Sequence, residues 1–105
     1  MRKCQVFIHG KDAGILKEDT NGYEFSYNRS YLMSENPEPV SLSLPIREGT
    51  YRSPYLFPAF SSILSEGETR QFQAKRFNVD PEDDFSILML TCRFDAIGAI
   101  TVKPL

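Results

Sequence analysis

Residues 20–27 read TNGYEFSY, and this stretch decides the fold. Thr20-Asn21-Gly22 carries the Asn-Gly pair that favours a tight reversal between antiparallel strands. Tyr23, Phe25 and Tyr27 then recur at every second position, which puts three aromatics on one strand face and Glu24 and Ser26 on the other. A strand entered through such a turn needs a partner on its N-terminal side, and Ile15-Leu16 supplies one. Further upstream, Cys4–His9 sets Val6 and Ile8 against Gln5, Phe7 and His9, and is followed by a turn cluster from Gly10 to Gly14. The reading is three antiparallel strands in succession.

Downstream, Glu35-Asn36-Pro37-Glu38-Pro39 is irregular, because closely spaced prolines block both helix and sheet. Residues 41–46, SLSLPI, alternate strictly and predict a half-buried strand with Leu42 and Leu44 on one face and Ser41 and Ser43 on the other. Pro45 lacks the N–H a central ladder needs, so this strand lies at an edge or ends there. Gly49 makes a turn, and Thr50-Tyr51-Arg52 forms a short strand before Pro54 and Pro58 end extended structure.

The period then changes to about 3.6 residues. Phe60, Ile63 and Leu64 mark a short helix that Pro58 can start, and Ser65 with Glu68 matches the S-x-x-E capping box, predicting a second helix over about 66–77. Asp80-Pro81 repeats the start signal for a third, whose apolar stripe is Phe85, Leu88, Met89 and Cys92, widened by Ile87 and Leu90. Gly98–Val102 is a last strand returning to the sheet. The expected fold is α+β: a small, mainly antiparallel sheet or open barrel with two to three short helices, in one domain over residues 1–105.

Composition narrows the function. Charged residues make up 25 % and hydrophobic ones 41 %, an ordinary globular balance, and the net charge of −2 offers no field to hold a polyanion. Arg70, Lys75 and Arg76 form the one local basic cluster. Cys4 and Cys92 fit no metal spacing and are expected as reduced thiols. The N-terminal MRKCQVFIHGKD lacks the apolar run of a signal peptide, and no segment reaches the ~18 apolar residues of a membrane span, so a cytoplasmic protein is expected.

Catalytic chemistry finds little support. His9, the single histidine, sits beside a turn glycine, and alternation puts Cys4 on the opposite face, so it reads as a solvated turn residue. Asp80, Glu82, Asp83 and Asp84 look like a metal cluster but suit the first turn of a helix better, and the Ca-loop pattern is missing. No phosphate-binding glycine motif occurs. The chain is expected to be no enzyme, with no catalytic residue, metal or cofactor. Its aromatics read mostly as core, except that Tyr55-Leu56-Phe57-Pro58-Ala59-Phe60 is too apolar for a loop between prolines and suggests a contact surface.

Taken in order, the turn with Gly14-Ile15-Leu16, GYEFSY, SLSLPI, FSSILSEGETR and DAIGAITV resemble the N-terminal subdomain of HipA-type kinases over nearly the whole chain. One departure is Ser65, where that family usually has proline. The larger departure is that the kinase core does not follow, so none of its catalytic or metal-binding chemistry carries over. The resemblance is closer to the split form, HipS, which stands beside a shortened Ser/Thr kinase toxin, HipT, and a DNA-binding partner, HipB. It implies an antitoxin that binds and inhibits a HipT/HipA-like kinase, possessing no nucleic-acid or membrane contact of its own. The alternatives are a non-inhibitory structural subunit of a kinase–repressor–DNA complex and a nucleic-acid binder using Arg70, Lys75 and Arg76. The expected partner contacts are Tyr55, Phe57, Ser65, Glu66 and Arg70, with Phe60 and Leu64 supporting them from beneath and the face of Tyr23, Phe25 and Tyr27 as the next candidate.

Overall fold

In the computed structural model the chain runs β1 (Arg2–Ile8), β2 (Lys11–Asp19), β3 (Gly22–Tyr27), α1 (Arg29–Leu32), β4 (Thr50–Ser53), α2 (Pro58–Ser61), α3 (Gly67–Arg76), α4 (Asp84–Phe94) and β5 (Ile100–Pro104). The structure describes residues 2–62, 64, 67–94 and 100–105, and of residues 91–94 only the backbone. The strands form one antiparallel sheet in the order β4-β3-β2-β1-β5, open at both edges, so the open-sheet form of the expected fold is the one adopted.

The first hairpin is tighter than the glycine cluster suggests. Ile8 pairs with Lys11, leaving His9 and Gly10 as the turn, both at positive φ (50° and 78°) as a type I′ reversal requires. Asp12 to Gly14 therefore belong to β2, where the register shifts between Val6 and Phe7 and leaves Ala13 as an extra residue in a bulge. The freed Ala13 carbonyl accepts from the Asn28 backbone N–H at 2.8 Å, which anchors the start of α1. Beside the bulge, a Cβ on Gly14 would overlap the Ser26 carbonyl oxygen of β3, so only glycine lets β2 and β3 approach here.

The helices pack on one side of the sheet. Cys4, Val6, Ile8, Leu16, Phe25, Tyr27 and Val102 face them and bury against Tyr31, Leu44, Leu56, Phe57, Phe60, Phe85 and Leu88. Phe25 lies at the centre, edge-on to Tyr27 at 4.9 Å and 5.7 Å from Phe60. The face of Tyr23, Phe25 and Tyr27 is thus the core face, and the structure removes it as a contact surface. Ala74, Ile87 and Leu90 form a second small core between α3 and α4.

SLSLPI is not a strand. Ser41 to Leu44 close a turn through Leu44 N–H to Ser41 O at 3.1 Å and a Ser41–Ser43 hydroxyl contact at 2.8 Å. Leu42 is 97 % exposed and Leu44 only 2 %, so the alternation does not set a common face. Tyrosine hydroxyls replace the missing ladder. Tyr27 donates to Leu44 O and accepts from Val40 N–H at 2.9 Å; Tyr31 donates to Glu38 O at 2.7 Å and accepts from Glu38 N–H at 3.1 Å; Tyr51 donates to Pro45 O at 2.6 Å. Local side-chain competition for the backbone overrides the period-two pattern.

The α4 start also lies later than Asp80-Pro81. Asp80 closes a turn of its own, its Oδ1 accepting from Glu82 N–H at 2.8 Å, and Asp83 caps α4 by accepting from Ser86 N–H at 3.2 Å. At the other end of the preceding helix, Asn78 at φ 54° and the Val79 N–H to Ala74 O bond of 2.9 Å end α3 in a Schellman pattern. The predicted capping residue Ser65 and the first residues of the predicted last strand, Gly98 and Ala99, lie outside the described residues.

Candidate partner-binding surface

The segment from Ser53 to Ser62 links β4 to the helical layer, and its sequence alternates between gripping the core and leaving it. Ser53 Oγ accepts from the Tyr55 backbone N–H at 3.1 Å, turning the chain at Pro54. Tyr55 is left 77 % exposed, whereas Phe57 is only 6 % exposed and packs edge-on to Phe60 at 6.4 Å. Phe57 is also the N-cap of α2, with its carbonyl accepting from Phe60 and Ser61. Pro58 follows at the first helical position, where its fixed φ suits the turn.

Of the expected contacts, then, Tyr55 alone is a freely presented aromatic. Phe57 joins Phe60 as an anchor beneath it, with Leu64 half-buried against the same core. Arg70 is engaged within the chain: its Nε donates to Pro81 O and its terminal nitrogen to Asp84 Oδ1, both at 2.6 Å, so it ties α3 to α4. That tie also splits the Arg70, Lys75, Arg76 cluster as a basic surface. Ser65 and Glu66, between α2 and α3, lie outside the described residues.

Besides Tyr55, the exposed large apolar side chains among the described residues are Met33, Leu42, Phe72, Phe77 and Leu105; sequence reasoning put Leu42 on a half-buried strand and named none of the five among the contacts. Phe72 could have been flagged, because it stands between glutamines on a helix whose buried positions are Gln73 and Ala74. Leu42 could not, since its exposure depends on hydroxyl bonds distant in sequence.

The acidic run is distributed among structural tasks. Asp83 takes a bidentate pair from Arg2 at 2.7 and 2.9 Å and a hydroxyl bond from Ser86 at 2.8 Å, and the Arg2 guanidinium foremost holds its carboxyl down at about 2. Arg2 also binds Glu18 and lies 4.9 Å from the Phe85 ring centroid, locking β1 to α4. Asp84 is the partner of Arg70. Among the described residues no group of three His, Cys, Asp or Glu side chains could hold a metal ion, and no helix is long and apolar enough to cross a membrane.

The chain is 37 % identical to an uncharacterised protein of Haemophilus influenzae over 103 residues, covering 98 % of this chain and 92 % of that protein. Two Sinorhizobium fredii proteins, named "Putative kinase Y4mE" and "Putative kinase Y4dM", share 32 % and 37 % identity, but the chain spans only 25 % and 26 % of their lengths. A solved structure titled "N-terminal domain of HipA toxin" superposes with a TM-score of 0.63 and 29 % identity, covering 98 % of this chain and 93 % of that one. The family model for the HipA N-terminal domain matches residues 4–103, and the chain belongs to the HipA N-terminal domain family.

Proposed function

We propose that this chain is a HipS-like antitoxin that binds a HipT/HipA-like Ser/Thr kinase toxin and inhibits it. The observation that carries the reading is one of coverage. The same domain fills about a quarter of two proteins named as kinases and nearly all of the Haemophilus relative, so it occurs both joined to a larger chain and by itself. A separate copy of a domain that normally packs within a kinase has a ready surface to occupy, and occupying it is the means of inhibition.

Tyr55 is the aromatic anchor of that contact and Ser65 and Glu66 are further contacts, while Phe57 and Phe60 hold the segment to the core and Arg70 ties α3 to α4. Pro54 and Pro58 restrict the segment before docking, so less entropy is lost on binding. A HipB-like DNA-binding protein is the further partner, and the chain works in the cytoplasm without catalysis of its own.

Co-expression with the kinase encoded beside it tests the reading. Growth should be restored, and pure chain should lower kinase autophosphorylation in proportion to its concentration. A kinase that stays toxic while the two co-purify overturns inhibition and makes the chain a structural subunit. Tyr55→Ala should weaken kinase binding about tenfold or more, as loss of a hot-spot aromatic does, and leave the melting temperature of the free chain unchanged. The pure chain with ATP and magnesium should transfer no phosphate to a generic substrate.

A further inference from the structure

The helices cover one face of the sheet, and the other face is bare: among the described residues none of its side chains is buried. On the half built by β1, β2 and β5 it gathers Lys3, Lys17 and Lys103 around Phe7 and Ile15, which are half-buried. Lys3 stands directly opposite Lys17 in the β1/β2 register, an arrangement that costs stability when nothing anionic lies between. Lys103, opposite Gln5, is one diagonal step from Lys3, and its Nζ lies 5.6 Å from the Phe7 ring centroid.

The carboxylates of this face are engaged elsewhere. Glu24, opposite Lys17, pairs with Arg52 at 2.5 Å, and Asp12 accepts from Gln5 at 2.9 Å and Asn28 at 2.7 Å. None of the three lysines forms an ion pair among the described residues. An apolar strip ringed by uncompensated cations, on a chain of net charge −2, is a local feature and not a reflection of overall charge.

We propose that this bare half-face docks an acidic segment of a protein partner, whose apolar side chains cover Phe7 and Ile15 while its carboxylates reach Lys3, Lys17 and Lys103. A protein is favoured over a single-stranded nucleic acid because this half-face offers one aromatic ring, Phe7, for base stacking. The inference stands apart from the kinase-binding reading, which places its contacts around Tyr55 on a different part of the molecule.

The test is amide NMR of the full chain titrated with a 20-residue poly-L-glutamate and, separately, with a 20-nucleotide oligo-dT. Poly-L-glutamate should shift amides of Lys3 to Phe7, Ile15 to Lys17 and Thr101 to Lys103, and the affinity should fall about tenfold or more in Lys3→Glu/Lys17→Glu/Lys103→Glu, as complementary charge predicts. If that variant loses its dispersed spectrum, the triple Lys→Ala variant is measured instead and should bind severalfold more weakly. Absent shifts, or shifts centred on Lys75 and Arg76, overturn the proposal. So does tighter binding of oligo-dT at the same face, or concentration-dependent dimerisation that protects it, because the occupant is then a nucleic acid or a second copy.

Discussion

Two regions close the covered side of the sheet with opposite chemistry. Around β3 and α1, neutral hydroxyls of Tyr27, Tyr31 and Tyr51 hold the connection of residues 36–45, and burial pushes the Tyr27 and Tyr31 hydroxyls above their ordinary range. Around α3 and α4, guanidiniums do the work: Arg2 clamps Asp83 and Glu18, and Arg70 clamps Asp84 and Pro81 O. The tyrosine region has buried rings to stack, Tyr27 on Tyr31 at 6.1 Å, so the hydroxyl bonds of these two are buried or part-buried, while that of Tyr51 is exposed. The arginine region is polar and partly open, so its ties are stronger singly but screened. The first region should respond to packing and the second to salt and pH.

The largest effect should come from the tyrosine region. Leu44→Ala removes the buried anchor under an otherwise irregular connection and should cost about 2–5 kcal/mol in chemical denaturation. A loss under about 1 kcal/mol would mean that the hydroxyl bonds alone hold the connection. Tyr27→Phe keeps the stacked ring but strands Leu44 O and Val40 N–H, and should cost about 1–3 kcal/mol with no dependence on salt.

Arg70→Met probes the other region while keeping most of the aliphatic stem. It should cost about 1 kcal/mol at low salt and less at high salt, since Asp84 is partly exposed. An effect as large as that of Leu44→Ala, or one indifferent to salt, would erase the contrast between the two regions.

The same contrast explains what the sequence made legible. The sheet could be read because its signals are local: the Asn-Gly turn, the alternation of Tyr23, Phe25 and Tyr27, and the alternating Val6 and Ile8. Helices α2 and α4 could be read from Pro58 and the stripe of Phe85, Leu88 and Met89. SLSLPI misled because a tyrosine 17 residues upstream captures the Leu44 carbonyl, and period-two patterning carries no trace of that. At the candidate site, proline bracketing singled out the segment that presents Tyr55 to solvent. Which aromatic faced inward depended on Phe60 and Phe25 being already in place, so Tyr55 and Phe57 looked equivalent in one dimension.

The smallest effect sharpens the comparison most, because it isolates charge. Asp83 caps α4 and accepts from Arg2, and its carboxyl sits at about 2 when folded, against an unfolded value near the ordinary ~4. A group whose folded value is depressed contributes stability above its unfolded value, and loses it as pH falls toward the folded one. Asp83→Asn keeps the capping oxygen, since asparagine caps as well as aspartate, but cannot pair with the guanidinium. The melting-temperature gap between wild type and Asp83→Asn should therefore be constant above about pH 5 and shrink steadily as pH falls from about 4 toward 2. Because the pair is partly open to solvent, the gap should be a few degrees at most, and added salt should narrow it. Tyr27→Phe, measured over the same range, should show a gap that pH leaves unchanged, since no group it removes titrates there. A gap for Asp83→Asn that is equally flat would place the Arg2 clamp with the neutral tyrosine bonds and end the distinction.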